Sequence, residues 1–150
     1  MTVRAQPAGQ PAGALGALQQ TLAAEHAAVF VLGALAGRAS SLTDQRLRAA
    51  LAEAHDVHVQ RRDALRLRVA AAGGTPVAAE PAYRLPSALR TRRQVETAAL
   101  GVERACATTY AALVAATVAD DRRFAVDALV ATAVGERAFG GAAEPLPGTG

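Results

Sequence analysis

Several carboxylates and imidazoles fall where the apolar pattern of this chain leaves little room for charge. Glu25 interrupts the run Leu15, Leu18, Leu22, Val29, Leu32 and Ala36, and His55 and His58 interrupt a second run of Leu47, Leu51, Leu65 and Val69. Glu103 lies on a stripe drawn through Glu96, Ala99, Cys106, Tyr110, Leu113 and Thr117, and Glu136 closes a fourth apolar stretch. Such donors, turned into a helical bundle, are the material of a carboxylate-bridged dinuclear metal centre. That centre takes one Glu from each of two helices and a Glu-x-x-His pair from each of the other two. The match here is partial. Glu25 and Glu103 supply the single acids, but the second helix offers His55-x-x-His58 and the fourth Glu136-x-x-Phe139, and a phenyl ring binds no metal. The candidate ligand set is therefore Glu25, His55, His58, Glu103 and Glu136, for one or two iron or manganese ions. The competing reading makes Glu25 and Glu103 buried acids paired with Arg62, Arg104 or a histidine, because an unpaired buried charge is expensive.

Other chemistry finds less support. Cys106, the single cysteine, sits between Ala105 and Ala107 with no visible partner for a catalytic dyad and reads as a small packed side chain. No Ser-His-Asp arrangement, Gly-rich phosphate loop or paired-Cys zinc pattern is present. Arg61, Arg62, Arg66 and Arg68 form a basic patch that reads as a solvated face paired with acids such as Asp63. All sixteen basic residues are Arg, the net charge is +3 and aromatics make up 3% of the chain, so the dense basic stripe with stacking rings of a nucleic-acid binder is missing.

Helices must position these residues. A chain of 150 residues, 51% hydrophobic and dominated by Ala, Leu and Val, fits one helical domain. Residues 1–13, rich in Pro, Gly and Gln, and residues 141–150, with their helix breakers, are expected to be irregular, flanking a bundle over 14–140. The first helix is expected from about Ala14 to Ala36. The second starts after Thr43 as N-cap and ends before Gly73, with Leu47, Leu51, His55, His58, Arg62, Leu65 and Val69 along one face. The third starts near Ser87, with a competing stripe through Val95, Val102 and Leu113 that would turn its acids to the flank. The fourth opens at Asp120 or Asp121 and includes Phe124, Leu129, Val130, Val134 and Glu136. Short links between the first and second and between the third and fourth helices force antiparallel hairpins. The middle link, Gly73 to Pro86, reaches roughly 45 Å when extended, against about 36 Å for a helix of some twenty-four residues. It is long enough to cross the whole bundle. Folding each hairpin about its turn brings Glu25 near His55 and Glu103 level with Glu136.

Three phrases carry a family resemblance: LAAEHAAVFVLGAL with Glu25 and His26, AHDVHVQRRDAL with His55, Arg61, Arg62 and Asp63, and RRFAVDAL with Arg122, Arg123 and Phe124. Together with the closing Pro147 and Gly148, they make roughly residues 14 to 148 resemble actinobacterial ferritin-like proteins known only as a domain of unknown function. Phe139 stands where members of that family often carry an aromatic. The resemblance implies an all-α, ferritin-like antiparallel four-helix bundle with one long crossover between helices 2 and 3, and it implies no activity.

The expected function is that of a non-catalytic structural or interaction protein with a degenerate polar core, forming a homodimer through an Ala-rich helix face. The alternatives are a metal-binding di-iron or manganese oxidoreductase, or a bundle holding a small apolar ligand between its helices. The apolar stretch from Leu22 to Ala36 is broken by Glu25 and His26, so neither a membrane span nor a signal peptide is expected, and a lone cysteine fits a reducing cytoplasm.

Overall fold

The structure, a computed structural model, describes residues 13–39, 42, 44–86 and 88–149. Four α-helices pack together, and no strand occurs among the described residues: α1 (Gly13–Ala39), α2 (Gln45–Ala71), α3 (Arg92–Ala116) and α4 (Ala119–Glu136), the last followed by a 3-10 turn over Arg137–Phe139. Helix α1 packs broadly on both α2 and α3, and α3 on α4, whereas α2 and α4 barely meet.

The helix starts follow their caps. Thr43, the expected N-cap of α2, lies outside the described residues; the cap is Asp44, whose carboxylate accepts from the Leu47 amide at 2.9 Å. Ser87 also lies outside them, and α3 starts five residues later than expected. There the Thr91 hydroxyl accepts from the Gln94 amide, and the Gln94 side chain accepts from the Thr91 amide, a reciprocal capping box. A box of this kind fixes the start more firmly than the proline ahead of it.

The link between α2 and α3 lies against α1. The Gln19 side chain donates to the Thr75 carbonyl and accepts from the Val77 amide, the His26 ring reaches the Val77 carbonyl at 3.0 Å, and the Phe30 and Tyr83 rings stand 5.4 Å apart. Contacts that advance together along α1 and the link mean that the link runs beside the helix.

Which residues are buried departs in detail from the simple stripes. On α1 the core takes Ala28 and Leu35 where Val29 and Ala36 were expected. On α2 it takes Arg61, while His55 and Arg62 turn outward; on α3 it takes Val95 and Glu103 but leaves Glu96 to an ion pair with Arg92 at 2.7 Å. Helix α4 buries Ala125, Ala128, Thr132 and Glu136, packs Phe124 and Leu129 against the core and leaves Val126, Val130 and Val134 exposed. Its small residues face inward because they let the helix settle close to Tyr110 and Cys106 of the core. By length and composition alone α1 is long and apolar enough to cross a membrane; in the fold its face with Leu18, Leu22, Glu25, Leu32 and Leu35 is buried in the bundle.

Candidate functional site

A cluster of polar side chains lies at mid-depth, where α1, α2 and α3 meet. Glu25 comes from the buried face of α1, His58 from α2, and Glu103, Cys106 and Tyr110 from one face of α3 at the i, i+3 and i+7 spacing that stacks side chains along a helix. All five are shut away from water. His58 Nδ1 is 2.6 Å from Glu25 Oε2, and its Nε2 is 3.4 Å from Glu103 Oε1. The Tyr110 hydroxyl donates to Glu25 Oε1 at 2.7 Å, so both oxygens of Glu25 are engaged by protein groups.

Burial opposes charge on His58, but hydrogen bonds with Cys106, Glu103 and Glu25 outweigh it, and the imidazole pKa is pushed up to about 12. His58 is an imidazolium held between two carboxylates. Burial pushes the Cys106 thiol up and so keeps its proton in place. Burial, followed by the nearby Glu25 charge, also raises Tyr110, which stays a phenol and a hydrogen-bond donor.

One turn beyond His58, Arg61 crosses to α4, where its guanidinium donates to Thr132 Oγ1 at 2.8 Å and the Ala128 carbonyl at 3.2 Å. It also stands 5.6 Å from the Tyr110 ring centroid. Two carboxylates, Glu25 and Glu103, thus share one buried cluster with His58 and Arg61. Glu103 additionally lines a cleft of about 520 Å³ between α2 and α4, walled by Ala54, Val57, Ala131 and Val134. Its carboxylate rests on Gly135, where a Cβ would stand 3.4 Å away.

Of the five residues singled out in the sequence, Glu25, His58 and Glu103 converge and two stand apart. His55 lies against Gly33, one-third exposed, with its ring 3.5 Å from Asp56. Glu136 is buried beside Arg104, whose Nε is 3.5 Å from its carboxylate. The α1–α2 turn is centred near Leu42, which carries Glu25 to the level of His58 rather than His55. The three converged donors are fewer than a carboxylate-bridged dinuclear centre takes.

Sequence reasoning missed three members of the site. Cys106 lies in the cluster, its sulfur within 4.8 Å of donor atoms of Glu25 and His58. Arg61 belongs to the core rather than to the solvated patch, whereas Arg62 and Arg68 do pair outward, with Asp63 and Asp121. Tyr110 was on the drawn stripe, and a phenol three to four residues from a thiol on a buried face was the available signal for its role.

A family model described as a domain of unknown function (DUF4439) matches residues 17–150, and the chain belongs to that family. In three dimensions it is similar to the crystal structure of a conserved hypothetical protein, rv2844, from Mycobacterium tuberculosis. The identity is 31%, 84% of this chain and 87% of that one are covered, and the TM-score is 0.76. No curated protein matches the chain.

Proposed function

We propose that this chain is a ferritin-like bundle working as a structural or interaction protein rather than an enzyme, its polar core closed by its own side chains. The observation that carries the reading is the engagement of His58: each ring nitrogen faces a carboxylate, and Tyr110 takes the remaining oxygen of Glu25. A site whose donors already satisfy one another needs no ion to fold. The contacts of Gln19, His26 and Phe30 with residues 75–83 support treating the α2–α3 link as the single long crossover of a ferritin-like bundle. The exposed Val57, Val126, Val130 and Val134 beside the α2–α4 cleft supply the apolar face for a homodimer. A buried free thiol suits a reducing, cytoplasmic setting.

The test is removal of metal. Protein dialysed against chelator should keep a cooperative melting transition, and loss of that transition would defeat the reading. The second reading is a metal-binding oxidoreductase, favoured by one observation: donor atoms of Glu25, His58 and Cys106 all lie within 4.8 Å of one another. Two equivalents of iron or manganese in protein isolated without chelator, together with peroxide or oxygen turnover, would establish it.

A further inference from the structure

We infer that the cleft between α2 and α4 binds a small primary amine on an apolar body, its ammonium paired with Glu103 and its body lying along the walls. The inference goes beyond the structural or interaction role by naming a ligand. It leaves the core closed, because His58 keeps both of its carboxylate partners, and its failure would leave that role untouched.

Glu103 is 3% exposed, yet it lines a cleft of about 520 Å³, a size within the range of small-molecule sites. On the core side its Oε1 faces His58 Nε2 at 3.4 Å. Its Oε2 makes no hydrogen bond among the described residues, whereas both oxygens of Glu25 are taken. Nor is Oε2 sealed away, since among the described residues the buried side-chain atom without a partner is Arg68 Nε. The cleft that Glu103 lines is therefore where this oxygen is open. Gly135 keeps the facing side of α4 bare, because even a Cβ there would stand 3.5 Å from Oε2.

The rest of the lining selects the body and the charge of the ligand. Ala54, Val57, Ala131, Val134, Ala138 and Phe139 offer methyl groups and one ring, so whatever lies on them is apolar. Glu53 adds a second carboxyl at the exposed edge, and Arg61 is the cation of the lining. Arg61 is committed elsewhere. Its guanidinium donates to Thr132 Oγ1 and to the Ala128 carbonyl and stands over the Tyr110 ring. The oxygen at the base of this apolar cleft thus lacks a donor, and a ligand that covered it without supplying one would bear the cost of its desolvation. An alkylamine supplies the donor: it is an ammonium at neutral pH, as lysine is, and its bond to a carboxylate is of the stronger, charge-assisted kind. An anionic ligand brings a second negative group and no donor. Val126 and Val130 of the proposed dimer face lie outside the lining, so filling the cleft and pairing two copies can be measured separately.

The experiment is a titration of the wild-type chain, followed by two-dimensional amide spectra, with phenylethylamine and with two ligands of similar body, phenylethanol and phenylpropionate. The amine should bind at millimolar concentration or below and shift the amides of Val57, Val134 and Gly135 in the cleft wall. Both other ligands should bind about tenfold more weakly or worse, and Glu103→Gln, which keeps the shape of the side chain, should lower the affinity for the amine by about 10- to 100-fold, the worth of a hydrogen bond to a charged group. Affinity for phenylethanol should stay nearly unchanged in that variant. Because Glu103→Gln also loosens the hold on His58, Ala131→Phe is the second variant. It fills the cleft from an exposed position on α4 and should abolish amine binding with the fold intact. No binding of the amine at millimolar concentration, phenylethanol or phenylpropionate bound as tightly as the amine, shifts that miss the cleft, or full-strength binding by folded Ala131→Phe overturns the inference.

Discussion

Glu25 lies in the middle of an apolar helix face, yet both its oxygens are engaged, with His58 on one and Tyr110 on the other. Replacing it with Gln keeps the shape but weakens a charge-assisted bond and strands His58. Glu25→Gln should cost about 1 to 3 kcal/mol, read from denaturant midpoints, and an unchanged midpoint would show that the pair carries no stability. The pH dependence follows from His58. Its folded pKa of about 12 stands above the ordinary 6.5, so its contribution is fully present below about pH 6.5. It shrinks as pH rises above that value and is gone once pH passes the folded pKa. Wild type should lose stability between pH 6.5 and 9 more steeply than His58→Gln, by up to about 1 kcal/mol per pH unit, and parallel curves would contradict this. The presence of Glu25, His58 and Glu103 in the core was legible because charge on a heptad-like seam is conspicuous. Their partners were not, since choosing His58 over His55 depends on the length of one turn and burying Arg61 depends on the gap beside α4.

At the level of elements, the helices were legible from Ala/Leu/Val periodicity and their ends were less so, because the caps compete. Asp44 and Thr91 won over Thr43 and Ser87 as helix starts by virtue of the side-chain bonds they make. Helix α4 was the least legible, since small residues carry much of its contact and its valines face outward. Two backbone positions give tests. Ala119 opens α4 with φ 49°, in the left-handed region, where a Cβ is strained. Ala119→Gly should therefore stabilise the chain by up to about 1 kcal/mol, raising the melting temperature, and a fall would mean that the turn is not strained. Gly148 has φ 76°, and a Cβ there would overlap the Ala107 carbonyl of α3. Gly148→Ala should release the closing segment from α3, visible as faster amide exchange over residues 141–149, with the helices unaffected.

For the whole molecule, the all-helical fold follows from composition, while the uneven packing follows from where bulk is missing. Helix α1 is gripped on two sides, but α2 and α4 face each other with Ala50, Ala54, Ala131 and Gly135 and leave a cleft. The proposed homodimer would cover the valines on that side. Light scattering should give twice the 15.3 kDa chain mass at tens of micromolar, and Val130→Asp should return the monomer; a wild-type monomer would remove the dimer from the proposal. The core itself unites three of the four helices through the two ring nitrogens of His58, and their protons can be observed. In metal-free protein, nitrogen-15 spectra of the His58 ring should show both nitrogens protonated from pH 6 to pH 9, as expected of an imidazolium held between Glu25 and Glu103. A His58 ring that titrates near pH 6.5, or that shows one bare nitrogen at neutral pH, would mean that the core is not closed by its own side chains.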